Sequence, residues 1–161
     1  MSAAVAHITP ERVDHVLAHL WERGRVELED LGVPLSLARA ECLEHAALGT
    51  GWAILSDGVP VVLTGLVRTG PRSAGTWFLA TDDFERAFRE VTALILERLP
   101  AECERLGFEE VEILSACRHP KADRWFKAMG FTSDPGHNGA TASGVPIRRY
   151  VKSVGGHHVL G

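Results

Sequence analysis

Residues 111–131 read VEILSACRHPKADRWFKAMGF, and this segment decides the fold class. Its first four residues form a short apolar run of the kind that makes a buried strand. From Pro120 the pattern changes to that of an amphipathic helix, because Trp125, Phe126 and Met129 fall three and four residues apart. A Gly-Phe pair ends that helix. The segment therefore predicts a buried strand followed closely by a short helix.

Short β-rich runs predict the other strands of the sheet. With the strand above, they are residues 3–8, 52–55, 59–67, 76–81, 111–114 and 147–151. Asp57 and Gly58 separate two of these runs, and an Asp-Gly pair in that position favours an antiparallel hairpin.

Apolar residues at helical spacing predict four helices. They are a helix from Pro10 to near Gly24, one over 35–48, one from Asp82 to Gly107, and one over 120–129. Pro100 lies inside the third helix, where it predicts either a kink or a division into two helices.

The predicted element order is β-α-α-β-β-β-α-β-α-β-β, with a last pair of strands near the carboxyl end. This order indicates an α/β or α+β fold with a mixed central sheet flanked by helices, in one domain over residues 1–161. Glycine and proline in residues 133–146 predict a mobile loop, and residues 155–161 read as a flexible tail.

Composition argues against several classes of function. A net charge of -4 with no basic stripe argues against nucleic acid as a partner. No apolar run approaches the ~20 residues needed to cross a bilayer, and the amino terminus resembles no secretory signal. The three cysteines, Cys42, Cys103 and Cys117, have unrelated spacings, so we expect reduced core thiols rather than disulfides or a zinc site. These observations predict a cytoplasmic protein with no membrane partner.

The element order and residues 119–131 together resemble the Gcn5-related N-acetyltransferase (GNAT) superfamily. The family pattern Asn-x-x-Ala-x-x-Leu-Tyr-x-Lys-x-Gly-Phe matches the spacing of His119, Ala122, Gly130 and Phe131. The resemblance implies acyl transfer from acetyl-CoA. It also implies a general acid at the tyrosine position, where this chain has Phe126, which carries no hydroxyl.

A second departure from the family lies at the start of the long helix. The resemblance implies an Arg/Gln-x-x-Gly-x-Gly/Ala loop whose backbone binds the coenzyme A pyrophosphate. Counting back from Gly107 places this loop at residues 86–91, where Arg86 matches but Arg89 and Val91 replace the glycines. Arg86 and Arg89 are the residues that would bind coenzyme A if it binds at all, and the acidic side chains nearby would oppose it.

A narrower resemblance involves the segment from Trp77 to Asp82 and residues 119–130. These look like the internal virion protein A-like group of T7-like tailed bacteriophages, which are GNAT-like and lack the glycine loop. The resemblance implies a non-catalytic structural or assembly protein without a cofactor, present in the cytoplasm of the bacterial host and then in the virion. Its partners would be portal, tail or capsid proteins, contacted through residues 133–146 and the tail, with a homo-oligomer as a further possibility.

The alternative prediction is an acyl-CoA-dependent N-acetyltransferase with a divergent pyrophosphate loop. A third hypothesis is a sensor that retains the cleft and has lost turnover. Binding of acetyl-CoA would separate the first hypothesis from the other two.

Several single side chains have both a chemical and a structural interpretation. His119 is a possible base, although a His-Pro pair that opens a helix favours a capping role. Cys117 lies beside Arg118 and His119, which could lower its thiol pKa, but a core thiol at a strand end is favoured. Tyr150, the only tyrosine, could supply the missing acid, although packing is favoured.

The remaining histidines and tryptophans favour structural roles. His137, His157 and His158 lack carboxylates at ligand spacing, so we expect no metal site. The tryptophans that fall in predicted strands or on a helix face favour the core over a platform for stacking bases; they are Trp52, Trp77 and Trp125.

Overall fold

A central β-sheet organises the fold, which we describe from a computed structural model covering residues 2–155. Within these residues the sheet has seven strands in the spatial order β1-β2-β3-β4-β5-β7-β6. The strands are β1 Ala3–Ala6, β2 Gly51–Ser56, β3 Val59–Arg68, β4 Ser73–Ala80, β5 Glu110–Ser115, β6 Thr132–Ser133 and β7 Arg148–Ser153. Neighbouring strands are antiparallel except β4 and β5, which run parallel. The predicted mixed sheet is therefore confirmed.

Helices cover both faces of the sheet. They are α1 Pro10–Ala18, α2 Glu22–Asp30, α3 Leu35–Leu48, α4 Phe88–Leu106 and α5 Pro120–Ala128. Helices α1 and α3 pack on one face of β2–β4, and α4 and α5 pack on the opposite face. Two hydrophobic clusters result, one on each side of the sheet. None of the helices within residues 2–155 has the length and apolar content needed to cross a bilayer.

Helix α2 was not predicted. The first helix was expected to continue to near Gly24, but α1 ends at Ala18 and Gly24 lies inside α2. No residue of α2 is buried, so the helix has no apolar stripe from which hydrophobic periodicity could predict it. Leu20 and Trp21 lie between the two helices and pair with the end of β4 instead.

Pro100 does not divide the long helix. Helix α4 continues through it, because Leu99 and Cys103 on either side are buried against the sheet. This packing offsets the backbone hydrogen bond that proline cannot donate. The predicted helix start at Asp82 is too early, because Asp82–Glu85 forms a separate 3-10 turn before α4.

The segment predicted as a mobile loop contains local structure. Ser133 belongs to β6, and Ala140 and Pro146 form an isolated β-bridge closed by a hydrogen bond from Thr141 N to Val145 O at 2.8 Å. Its mobility stays a prediction. The predicted tail lies outside the described residues except for Gly155.

Candidate functional site

Strands β4 and β5 pair at one end only and then separate. Their pairing joins Ser73, Ala74 and Gly75 to residues 110–112, and no further residue of β4 pairs with β5. The far end of β4 is held elsewhere, because Trp21 N donates to Ala80 O at 2.9 Å. The two parallel strands therefore leave a gap through the sheet beyond Gly75.

The backbone of Phe78 faces this gap. Thr81 N donates to Val61 O of β3 at 3.0 Å, whereas the neighbouring Ala80 O accepts a bond on the opposite side of β4. Because backbone groups alternate in direction along a strand, the N–H and C=O of Phe78 share the direction of Ala80 and point away from β3. Phe78 thus offers one donor and one acceptor to an extended chain that enters the gap.

The gap opens into a cleft of about 230 Å³ with mainly apolar walls. The side chains of Trp77, Phe84, Phe88, Trp125 and Phe126 form much of its lining. The cleft reaches both faces of the sheet, because Leu28 of α2 and Leu31 just after α2 line one end. Trp125 is fixed by a hydrogen bond from its Nε1 to Thr92 Oγ1 at 3.0 Å.

A basic groove adjoins the cleft at the amino end of α4. Its volume is about 600 Å³, and it shares Glu85, Phe88, Lys121 and Trp125 with the cleft. Its cationic lining residues are Arg86, Arg89, Lys121 and Arg124. Glu85 and Glu90 also line it, so four cations outnumber two carboxylates in the groove. The positive end of the α4 dipole adds to this potential.

Two of the four cations are already in ion pairs. Lys121 Nζ lies 3.0 Å from Glu85 Oε1, and Arg86 pairs with Asp83. Arg89 and Arg124 make no ion pair with any residue in 2–155. The acidic side chains near the helix start therefore neutralise part of the groove and leave two guanidinium groups available to an anion.

Arg86 and Arg89, the predicted binding residues, lie together in this groove. The positions assigned to the family glycines fall inside α4, where Arg89 is exposed and Val91 is buried. The connection that precedes the helix is instead residues 81–87. Lys121 and Arg124 were not predicted, since they belong to α5 and approach the groove only through the packing of the two helices.

Glu27 of α2 lies at the other end of the cleft. Its Oε2 accepts hydrogen bonds from Ala116 N at 2.7 Å and Ser115 Oγ at 3.2 Å, just after β5. Burial raises the pKa of the Glu27 carboxyl group, although these hydrogen bonds act in the opposite direction. A half-buried carboxyl group with a raised pKa beside a cleft is suited to accept a proton. No sequence motif pointed to Glu27.

Phe126 and Tyr150 pack against each other, and neither offers an acid or a base to the cleft. Their ring centroids are 5.0 Å apart, and Tyr150 is buried with its hydroxyl donating to Asp123 Oδ1 at 2.7 Å. Phe126 lines the cleft, whereas Tyr150 does not. The favoured prediction that Tyr150 packs is confirmed.

Cys117 and His119 follow β5. Burial raises the pKa of the Cys117 thiol in spite of its basic neighbours, which favours the protonated thiol, and the side chain lines the cleft. His119 Nδ1 accepts a hydrogen bond from Lys121 N at 3.1 Å, which confirms the capping role. No cluster of three or more metal-ligating side chains occurs within residues 2–155.

Comparison with solved structures identifies the fold. The GNAT domain of S. lividans PAT superposes with a TM-score of 0.73 at 16% identity, over 94% of this chain and 90% of that one. Ard1 from Thermoplasma volcanium gives 0.74 at 12%, over 95% and 98%. Salmonella typhimurium yncA, solved with its cofactor acetyl-CoA, gives 0.68 at 12%, over 100% and 99%. No protein-family model and no curated protein matches the sequence. The chain has the fold of GNAT acetyltransferases.

Proposed function

We propose that this protein is an acyl-CoA-dependent N-acyltransferase. The observation that carries the proposal is the separation of β4 from β5, which opens a cleft between a basic groove at one end and Glu27 at the other. An anionic carrier and an amine can therefore approach the same point from opposite faces of the sheet. The proposal corresponds to the alternative prediction from sequence rather than to the non-catalytic one.

The cleft and groove fit the parts of coenzyme A. The two amides of its pantetheine arm can pair with the N–H and C=O of Phe78, as an added strand would. Arg89 and Arg124, with Arg86 and Lys121 beside them, can bind its phosphates. Residues 81–87, which precede α4, contain no glycine, so side chains rather than close backbone approach would hold the phosphates in this chain.

Acyl-CoA supplies the activated thioester carbon, and the side chains supply proton transfer and water exclusion. Glu27 can take a proton from an incoming ammonium group, which makes the nitrogen nucleophilic. Phe126 has no proton to give to the leaving sulfur. The protonated Cys117 thiol and the Ser115 hydroxyl carry exchangeable protons at that end of β5. The aromatic walls exclude water from the reacting centre.

The role in a tailed-phage particle remains a separate proposal, which rests on the resemblance of residues 77–82 and 119–130. Its partners would be portal, tail or capsid proteins. Mass spectrometry of purified particles and assembly intermediates tests it: we expect the chain in one of these fractions, and its absence from both would contradict that role.

Turnover tests the enzymatic proposal. We expect thiol release from acetyl-CoA, measured with a disulfide dye, to depend on added amine. Glu27→Gln should lower that rate, whereas Glu29→Gln, an exposed position on the same helix, should not. Failure of every amine to raise thiol release above the hydrolysis background would contradict the proposal.

A further inference from the structure

A second pocket adjoins the cleft on the α2 side of the sheet. This α2 pocket has a volume of about 420 Å³ and lies between α2 and the connection from β5 to α5. It shares Glu27 and Cys117 with the cleft. Its charged lining residues are Glu22, Arg23, Glu27, Asp30 and Arg118. An amine in this pocket would reach Glu27 from the face opposite the basic groove.

Most of these charges are neutralised within the protein. Glu22 pairs with Arg25, which lies outside the lining, and Asp30 Oδ2 lies 3.4 Å from Arg118 Nη2. Desolvation and then the nearby Arg23 lower the pKa of His119, which also lines the pocket, and this disfavours a positive charge on its ring.

Two charged side chains of the lining, Arg23 and Glu27, are not paired in this way. Arg23 makes no ion pair with any other residue of the described range, and Glu27 bonds only to neutral donors, Ala116 N and Ser115 Oγ. A carboxylate has about four lone-pair positions, so Glu27 can accept further hydrogen bonds. The α2 pocket thus presents one guanidinium group and one carboxylate.

The spacing of these two residues along α2 suits a zwitterion. Arg23 and Glu27 are four residues apart on α2, so their Cβ atoms lie about 5–6 Å apart on one face. The ammonium and carboxylate groups of an α-amino acid share one carbon atom. With a hydrogen bond of about 2.8 Å at each end, such a molecule can bridge the two side chains.

Apolar side chains surround the adjacent end of the cleft. Leu28, Leu31 and Leu114 line it next to Glu27, and Leu31 and Leu114 are 41% and 51% exposed. Exposed leucines beside a polar pair favour a ligand that carries an apolar group.

We infer that the acyl acceptor is a free α-amino acid with an apolar side chain, an inference that rests on the proposed function. Glu27 takes one proton from the ammonium group, and Arg23 binds the carboxylate. The amine nitrogen then forms a bond to the acyl carbon as the carbon–sulfur bond breaks, and a second amine proton passes to the sulfur.

Two probes that differ in the carboxylate test the inference. L-phenylalanine and phenethylamine share the aromatic group and the primary amine, and only L-phenylalanine can bind Arg23. We expect kcat/KM with acetyl-CoA to be about tenfold or more higher for L-phenylalanine. Arg23→Ala should lower it by a similar factor for L-phenylalanine only. Arg72→Ala, an exposed change just before β4, should change neither value.

A binding measurement separates this inference from the proposed function. L-phenylalanine should shift the amide NMR signals of α2 in the wild type and not in Arg23→Ala, whether or not thiol is released. Binding without thiol release would overturn the proposed function and leave the amino-acid site. Equal rates for the two amines, or wild-type binding in Arg23→Ala, would overturn the inference.

Discussion

Glu27 Oε2 accepts the amide hydrogen of Ala116 across a distance of 2.7 Å, which fastens α2 to the end of β5. With the hydrogen bond from Ser115 Oγ at 3.2 Å, it sets the position of the carboxyl group at the end of the cleft. Burial raises the pKa of Glu27 in spite of the bond. No residue of α2 is fully buried, so polar contacts of this kind contribute to its placement.

The pH dependence of catalysis should report Glu27. Its pKa is raised above the ordinary carboxyl value of 4.5, so kcat/KM should rise as pH increases through the raised pKa and the carboxylate forms. Glu27→Gln keeps an oxygen for the Ala116 bond and should lower kcat/KM about 10²–10⁴-fold at neutral pH. If the fall in kcat/KM at low pH persists unchanged in Glu27→Gln, a group other than Glu27 causes it.

The same ionisation should affect stability with a defined sign. A folded-state pKa above the unfolded value means that the Glu27 contribution is fully present below the unfolded pKa. It is lost as pH rises through the folded pKa. At pH values between these two pKa values, the melting temperature should therefore decline less with rising pH in Glu27→Gln than in the wild type. A steeper decline in the variant would contradict this sign.

The hydrogen bond between Trp125 and Thr92 should hold α5 against α4. Thr92→Val would leave the buried indole N–H without its partner, and we expect the free energy of unfolding to fall by about 1–3 kcal/mol. Thr92→Ser keeps the hydroxyl and should lose less. Urea denaturation measures both variants, and equal losses would show that the methyl group rather than the hydrogen bond is responsible.

Two glycine-to-alanine changes should have opposite effects on stability. A Cβ at Gly65 would lie 2.7 Å from Trp77 Cζ2 and 2.9 Å from the backbone Thr50 O. Gly65→Ala should therefore cost about 1–3 kcal/mol. Gly24 lies inside α2, where an added Cβ would have no atom within 4 Å apart from the backbone of its own helix, and Gly24→Ala should add about 0.5–1 kcal/mol. Denaturant unfolding gives both values, and a loss in Gly24→Ala would contradict the open space at that position.

Cysteine alkylation should report occupancy of the cleft. Cys117 is half-buried and lines the cleft, whereas Cys42 and Cys103 are buried with pKa values raised to about 11. Iodoacetamide should modify Cys117 first, and saturating acetyl-CoA, which has no free thiol, should slow that reaction. Mass spectrometry of digested protein locates the label. Modification of Cys117 at the same rate with and without acetyl-CoA would contradict binding in the cleft.

Hydrophobic patterning was sufficient for most of the fold. The Asp57-Gly58 hairpin, helix α3 and the strand and helix of residues 111–131 all formed near their predicted positions. The exception was α2, because its residues have no apolar stripe and are placed by pairing of Trp21 with β4 and of Glu27 with Ala116. Such long-range polar contacts leave no periodic signal.

The site was less predictable than the fold. Arg86 and Arg89 could be named because they are close in sequence to the start of α4. Lys121 and Arg124 of α5 and Glu27 of α2 join the site only through tertiary packing, and no spacing rule connects them. The missing glycines favoured a non-catalytic protein, but that pattern carried no information on whether β4 and β5 would separate.

Calorimetry with coenzyme A shows whether the cleft and the basic groove form an acyl-CoA site. We expect the wild type to bind in the micromolar range, and binding to be weakened about tenfold or more in the double variant Arg86→Ala and Arg89→Ala. Binding by Arg72→Ala, which removes an exposed cation remote from the groove, should match the wild type. Absence of binding by the wild type at millimolar coenzyme A, or equal affinity in the double variant, would contradict the claim.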